Sequence, residues 1–93
     1  MNTENAEAVA IQALAWIAGE DELMMRFLAL SGLTADTMRS AAADPGFLSG
    51  VLAFLMGHEP TLEQFCAATD TAPEMVVAAY KALGGAQNFE SSI

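Results

Sequence analysis

The chain has 93 residues, enough for one domain, with 54% apolar and 16% charged positions, a balance that argues against disorder away from the ends. Twelve acids stand against Arg26, Arg39 and Lys81, and the resulting formal charge of −9 disfavours nucleic acid and anionic lipid as partners and favours basic ones. A single cysteine, Cys66, excludes an internal disulfide and a cysteine-based zinc site.

The acids are scattered, as on a solvated surface. Residues 1–5 lack the basic start of a signal peptide, and the longest uncharged stretch, 45–58, is too short for a bilayer span. A cytoplasmic location is expected, with no membrane contact.

Thr3 is placed to cap a first helix, with Glu4 and Glu7 near its positive end and Gly19 just past Ala18 at its close. Val9, Ala10, Ala13, Leu14, Trp16 and Ile17 share one face at the 3.6-residue period, which makes that face core. Asp21 is expected to cap a second helix that runs to about Ser31 and is closed by Gly32 and Leu33. Its stripe reads Leu23, Phe27 and Leu30, with Met24 and Leu28 on the flank and Met25 far round the helix.

Thr34 then caps a short helix containing Met38, Ala41 and Ala42. Asp44-Pro45 combines a cap with proline in the first turn and opens a helix to about Met56 that carries no charge at all. Apolar nearly all round, it is either the centre of the fold or the helix that meets another chain. After Gly57, Pro60 is expected at the first position of a helix with Leu62, Phe65 and Cys66, ending near Thr69. Pro73 opens a last helix whose buried face is Val76, Ala79, Tyr80 and Leu83, stopped by Gly84-Gly85.

No run alternates at period two, so the expected fold is all-α: a compact orthogonal bundle of five or six short helices. Residues 1–85 form the single domain and 86–93 a flexible tail. The expected core is Val9, Ala13, Trp16, Ile17, Leu23, Phe27, Leu30, Phe47, Val51, Leu52, Leu55, Phe65, Val76 and Tyr80.

The run from Phe27 to Asp36 echoes that from Phe65 to Glu74, with Phe, Ala, Ser/Thr and Asp/Glu in step. Either the fold contains a pseudo-repeat, or two helix pairs converged on one turn chemistry. The first copy also has nearly the spacing of a DNA-binding helix-turn-helix, with Gly32 at the turn and Met38 and Ala41 behind it. Leu28 is large where that unit needs a small residue, and Arg39 and Lys81 are too few cations for phosphate contacts.

His58, the only histidine, lies between helices in Gly57-His58-Glu59-Pro60, with no neighbouring nucleophile evident. It reads as a loop residue near the end of the central helix. Cys66 beside Phe65 reads as a small hydrophobe rather than a reactive thiol. Glu20, Asp21 and Glu22 are explained by a helix start. No catalytic, cofactor-binding or metal-ligating set is expected.

The uncharged helix together with Met25, Met56 and Met75 supplies more apolar surface than so small a chain readily hides, and these methionines form the candidate interaction surface. The terminal Ser91-Ser92-Ile93 has the form that PDZ-type domains capture.

Through Glu7-Ala8, Ala13-Leu14, Arg26-Phe27-Leu28-Ala29-Leu30-Ser31-Gly32-Leu33, Asp44-Pro45-Gly46-Phe47-Leu48, Val51-Leu52, Phe54-Leu55 and Phe65-Cys66, the chain resembles short helical bacterial proteins grouped as domain of unknown function 3572. That family has no assigned activity, so the resemblance implies a self-contained helical domain and carries over no functional residues. The function expected is a small acidic protein-interaction or adaptor module without catalytic activity, cofactor or metal. Its partner is an unidentified protein or a second copy of itself. A degenerate helix-turn-helix DNA-binding regulator and a small enzyme using His58 are the alternatives.

Overall fold

The computed structural model describes residues 1–85 and, among them, six helices and no strand: α1 (Thr3–Ala18), α2 (Asp21–Ser31), α3 (Ala35–Ala41), α4 (Pro45–Met56), α5 (Glu59–Thr69) and α6 (Pro73–Ala82). The expected 86–93 tail, including Ser91-Ser92-Ile93, lies outside the described residues.

The caps explain where the helices begin. Asn2 Oδ1 accepts the Asn5 N–H at 2.7 Å, so α1 starts at Thr3 and the cap falls one residue before the expected Thr3. For α2 the cap is Glu20, without a side-chain bond, and Asp21 is already helical. Thr34 caps α3 in a reciprocal box with Thr37. Asp44 Oδ1 accepts the Gly46 N–H at 2.9 Å and Pro45 follows at the start of α4. In α5 the first residue is Glu59, so Pro60 stands one place later than expected.

The centre is shared. Helices α1, α4 and α6 pack on one another, α2 lies against α1, and α5 lies against α4 and α6. The uncharged α4 is therefore central, as its composition requires, but α1 is equally so. Ile17, Leu48, Val51, Leu52, Leu55, Phe65 and Val76 are fully enclosed, with Ala6, Ala10, Ala13 and Ala79 letting the backbones approach. The radius of gyration, 12.3 Å, is about that of a compact chain of this length.

Trp16, Leu23, Phe47 and Tyr80 pack against this core but are only partly buried. Leu30 departs from expectation altogether, for it is 72% exposed. Because α2 leans on α1, its inward face is Leu23, Met24, Phe27 and Leu28, and Leu30 is left on the outer edge.

The echo in the sequence is a structural repeat, longer than the matching residues indicate. A constant 38 residues separates Asp21 from Glu59 at the starts of α2 and α5, Ser31 from Thr69 at their ends, and Ala18 from Met56 at the ends of α1 and α4. Gly19 and Gly57 close α1 and α4 in the same right-handed conformation. Gly32 (φ 73°, ψ 11°) and Asp70 (φ 53°, ψ 44°) close α2 and α5, both left-handed.

The side chains repeat crosswise. Phe27 on α2 meets Phe54 on α4 edge-on, centroids 5.3 Å apart, and 38 residues away Phe65 on α5 meets Trp16 on α1 at 5.6 Å. Two helical hairpins thus exchange aromatic contacts. The symmetry ends at the third helix of each half: α6 is wedged between α1 and α4, whereas α3 touches its neighbours lightly and buries only Met38.

Candidate functional site

Three clefts formed by the described residues differ in chemistry. The first is an apolar groove of about 370 Å³ between α2 and α4, lined by Phe27, Leu30, Ser31, Phe47, Gly50, Ala53 and Phe54. It exists because α2 is not a close neighbour of α4. Large rings bridge the gap, Phe27 reaching Phe47 (5.9 Å, 70°) and Phe54 (5.3 Å, 77°) edge-on. On the α4 side the floor is the bare backbone of Gly50 and the methyl of Ala53, and on the α2 side Leu30 stands at the rim.

The second cleft, about 430 Å³, is polar and lies where α2 and α5 begin, among Glu20, Glu22, Arg26, His58, Thr61 and Gln64. Here His58 takes up a position the sequence did not suggest, for it is the N-cap of α5. Its Nδ1 shares a 2.7 Å hydrogen bond with the hydroxyl of Thr61, a residue only 3% exposed. The ring satisfies a hydroxyl that burial would otherwise leave without a partner.

The third cleft, about 420 Å³, is apolar and lies between α1 and α3, with Ile11, Leu14, Met38 and Arg39 on its walls. Arg39, the cation a helix-turn-helix would direct at phosphate, lines this cleft. It sits one turn after Asp36 in a helix of seven residues.

Of the three methionines singled out by the sequence, Met25 (71%) and Met75 (46%) are exposed, and Met56 is half-buried against the core. None of them lines any of these three clefts. The groove residues Leu30, Gly50 and Ala53 escaped sequence reading, because Leu30 fits a core stripe and a glycine or alanine in an apolar helix carries no signal.

Cys66 is half-buried, and its thiol is pushed above the ordinary range by burial first and then by the nearby Glu74 carboxylate. That favours the unreactive protonated form. Among the described residues, no three of His, Cys, Asp and Glu gather as a metal would require. No buried polar side-chain atom among them lacks a hydrogen-bond partner, so no orphaned group marks a ligand. No helix among them is long and apolar enough to cross a membrane.

The fold and its surface thus define an all-helical globule built on a repeated hairpin, with an open aromatic groove on one side. Over residues 3–86 the chain matches the family described as "Protein of unknown function (DUF3572)". It belongs to that family, as the resemblance in its sequence implies. Comparison with curated proteins and with solved structures returns no match.

Proposed function

We propose that the chain is a small acidic protein-interaction or adaptor module without catalytic activity, working in the cytoplasm. The observation that carries this reading is Leu30, 72% exposed beside a groove of about 370 Å³ that three phenylalanines line. An isolated leucine in water is ordinary, but one that continues an aromatic groove extends a contiguous apolar patch, the usual mark of a binding surface.

The rival readings have less support. A DNA-binding regulator would need cations on a projecting helix, and α3 offers one arginine to the α1–α3 cleft on a chain of charge −9. A His58 enzyme would take its base from a ring already bonded to Thr61.

The test is quantitative co-purification of the tagged chain and of its Leu30→Glu variant, alongside light scattering of each alone. A partner recovered in fixed ratio with the native chain and lost with the variant supports the reading. A monomer that recovers no partner in either form overturns it.

A further inference from the structure

The repeat provides an internal control for the groove. Both halves carry the same hairpin and the same crossed ring pair, so what the fold needs is what the two halves share. At the position of Gly50 on α4, the other half has Gln12 on α1, and at the position of Leu30 on α2 it has Ala68 on α5. All four are exposed. A long polar residue and an alanine are what an ordinary helix surface carries. A bare glycine and a leucine in the same places are not required by the hairpin.

Neither does local crowding require the glycine. A Cβ built at Gly50 meets nothing within 4 Å, and the backbone there is helical. Mid-helix glycine is unfavourable, and here it gives no closer packing among the described residues. What it does give is room over the groove floor.

Charge indicates what fills that room. Among the described residues no charged one lines the groove, and two of the three cations, Arg26 and Arg39, line the other two clefts. Among the sequence neighbours of groove residues, the exposed Asp44, one turn before Phe47, and the carbonyl end of α2, which closes at Leu30 and Ser31, are negative. Arg26, next to Phe27 and one turn before Leu30, lines the polar cleft instead. A second copy of the chain would bring a further −9 to the same surface, so like-charge repulsion opposes self-association. The volume takes on the order of two ring-sized groups, since about 150 Å³ accepts a benzene. Two helix walls with an apolar floor suit the stripe of an amphipathic helix.

We infer that the α2–α4 groove binds one amphipathic helix of another protein, which inserts two or three large apolar side chains between Leu30 and Gly50 and sets Lys or Arg against Asp44 and the end of α2. This rests on the interaction reading above and adds the site and the partner's chemistry.

The probes are two synthetic 18-residue helical peptides with one leucine stripe, flanked in one by lysine and in the other by glutamate. They are titrated into isotope-labelled protein while the backbone amides are followed by NMR. The lysine peptide is expected to shift Ser31, Gly50 and Ala53 first, and the glutamate peptide to bind at least ~10-fold more weakly, a difference of about 1.4 kcal/mol. Gly50→Gln and Leu30→Ala import the other half's residues without changing charge, so both variants should fold and each should weaken the lysine peptide ~10-fold or more. Affinity for the lysine peptide unchanged from the native chain in either variant, shifts scattered over the acidic surface, or equal binding of the two peptides would overturn the inference.

Benzoylphenylalanine in place of Ala53, and separately in place of Met75, then separates this inference from the broader reading in cells. Adducts from Ala53 to a basic, apolar-striped helix support the groove. Adducts from Met75 alone overturn the groove but leave an interaction module. Adducts from Ala53 to a second copy assign the groove to self-association and overturn the inferred partner. Silence at both positions overturns both.

Discussion

The ring of Phe65 meets the indole of Trp16 edge-on, with centroids 5.6 Å apart and planes inclined at 64°. Phe65 is fully enclosed and Trp16 partly so, and the pair joins α5 to α1 across the two halves. Phe65→Ala is expected to cost ~3–5 kcal/mol, as large aromatic truncations do. A double-mutant cycle with Trp16→Leu should return a coupling of about 0.5–1.5 kcal/mol. Urea unfolding followed by circular dichroism gives both values, and a coupling of zero would mean that the rings touch without mutual stabilisation.

The glycines and their counterpart Asp70 should respond in opposite directions. Gly32 is left-handed and a Cβ placed there meets open space, so Gly32→Ala meets no clash and loses stability by ~1–2 kcal/mol through backbone strain alone. Asp70 holds the same conformation without being glycine, and Asp70→Gly should gain up to ~1 kcal/mol. Gly50→Ala, in a right-handed helix with room for the methyl, should also gain roughly 0.5–1 kcal/mol. Thermal melts of the three variants test the signs together, and a loss at Gly50 would show that the glycine serves the fold after all.

His58 has a structural assignment that mutation can check. Removing its ring leaves the buried Thr61 hydroxyl unpaired, and His58→Ala should cost about 1–2 kcal/mol. Adding Thr61→Val should restore most of that loss, because an apolar group of the same shape needs no partner. The other half already carries an apolar residue, Leu23, at this place. Denaturant midpoints of the single and double variants decide it. If the double variant is no better than the single, the hydrogen bond is not what His58 contributes.

The raised thiol of Cys66 makes a claim about pH. Burial, then Glu74, holds the proton more tightly in the folded chain than in the unfolded one. The stability linked to this group is therefore fully present below the ordinary thiol pKa and is lost as pH rises through the folded value. Reaction with a thiol-specific disulfide reagent should be slower than for free cysteine at the same pH. Glu74→Gln should quicken it. An unchanged rate in that variant would leave burial as the whole cause.

Much of this architecture is legible in the residues. Asp44-Pro45, Pro73 and Gly32 punctuate the chain because proline fixes φ and glycine accepts the left-handed turn, and the helices begin and end there within a residue or so. Caps shifted by one position, Asn2 for Thr3 and Glu20 for Asp21, because several neighbouring polar residues compete for the same free N–H groups. The misplacement of Leu30 has a different origin. Leu23, Phe27 and Leu30 fit the helical period as well as Leu23, Phe27 and Leu28 do, and only the lean of α2 on α1 separates them. The groove was illegible for the same reason, since it is the space between two helices that do not touch closely. The repeat showed only where its halves share identities. Trp16 for Phe54 and Gly19 for Gly57 become visible as matches once the ring pairs are seen to cross.

The crossing of those ring pairs bears on how the molecule comes apart. Neither half contains both members of either principal pair: Phe27 needs Phe54 and Phe65 needs Trp16. If one hairpin opens, the other loses its aromatic partner at the same moment, so partial unfolding gains chain entropy while stripping contacts from the portion still folded. Melting is then expected as a single event, with no half-folded species accumulating. A fragment ending before α4 should stay unfolded until the complementary fragment is supplied.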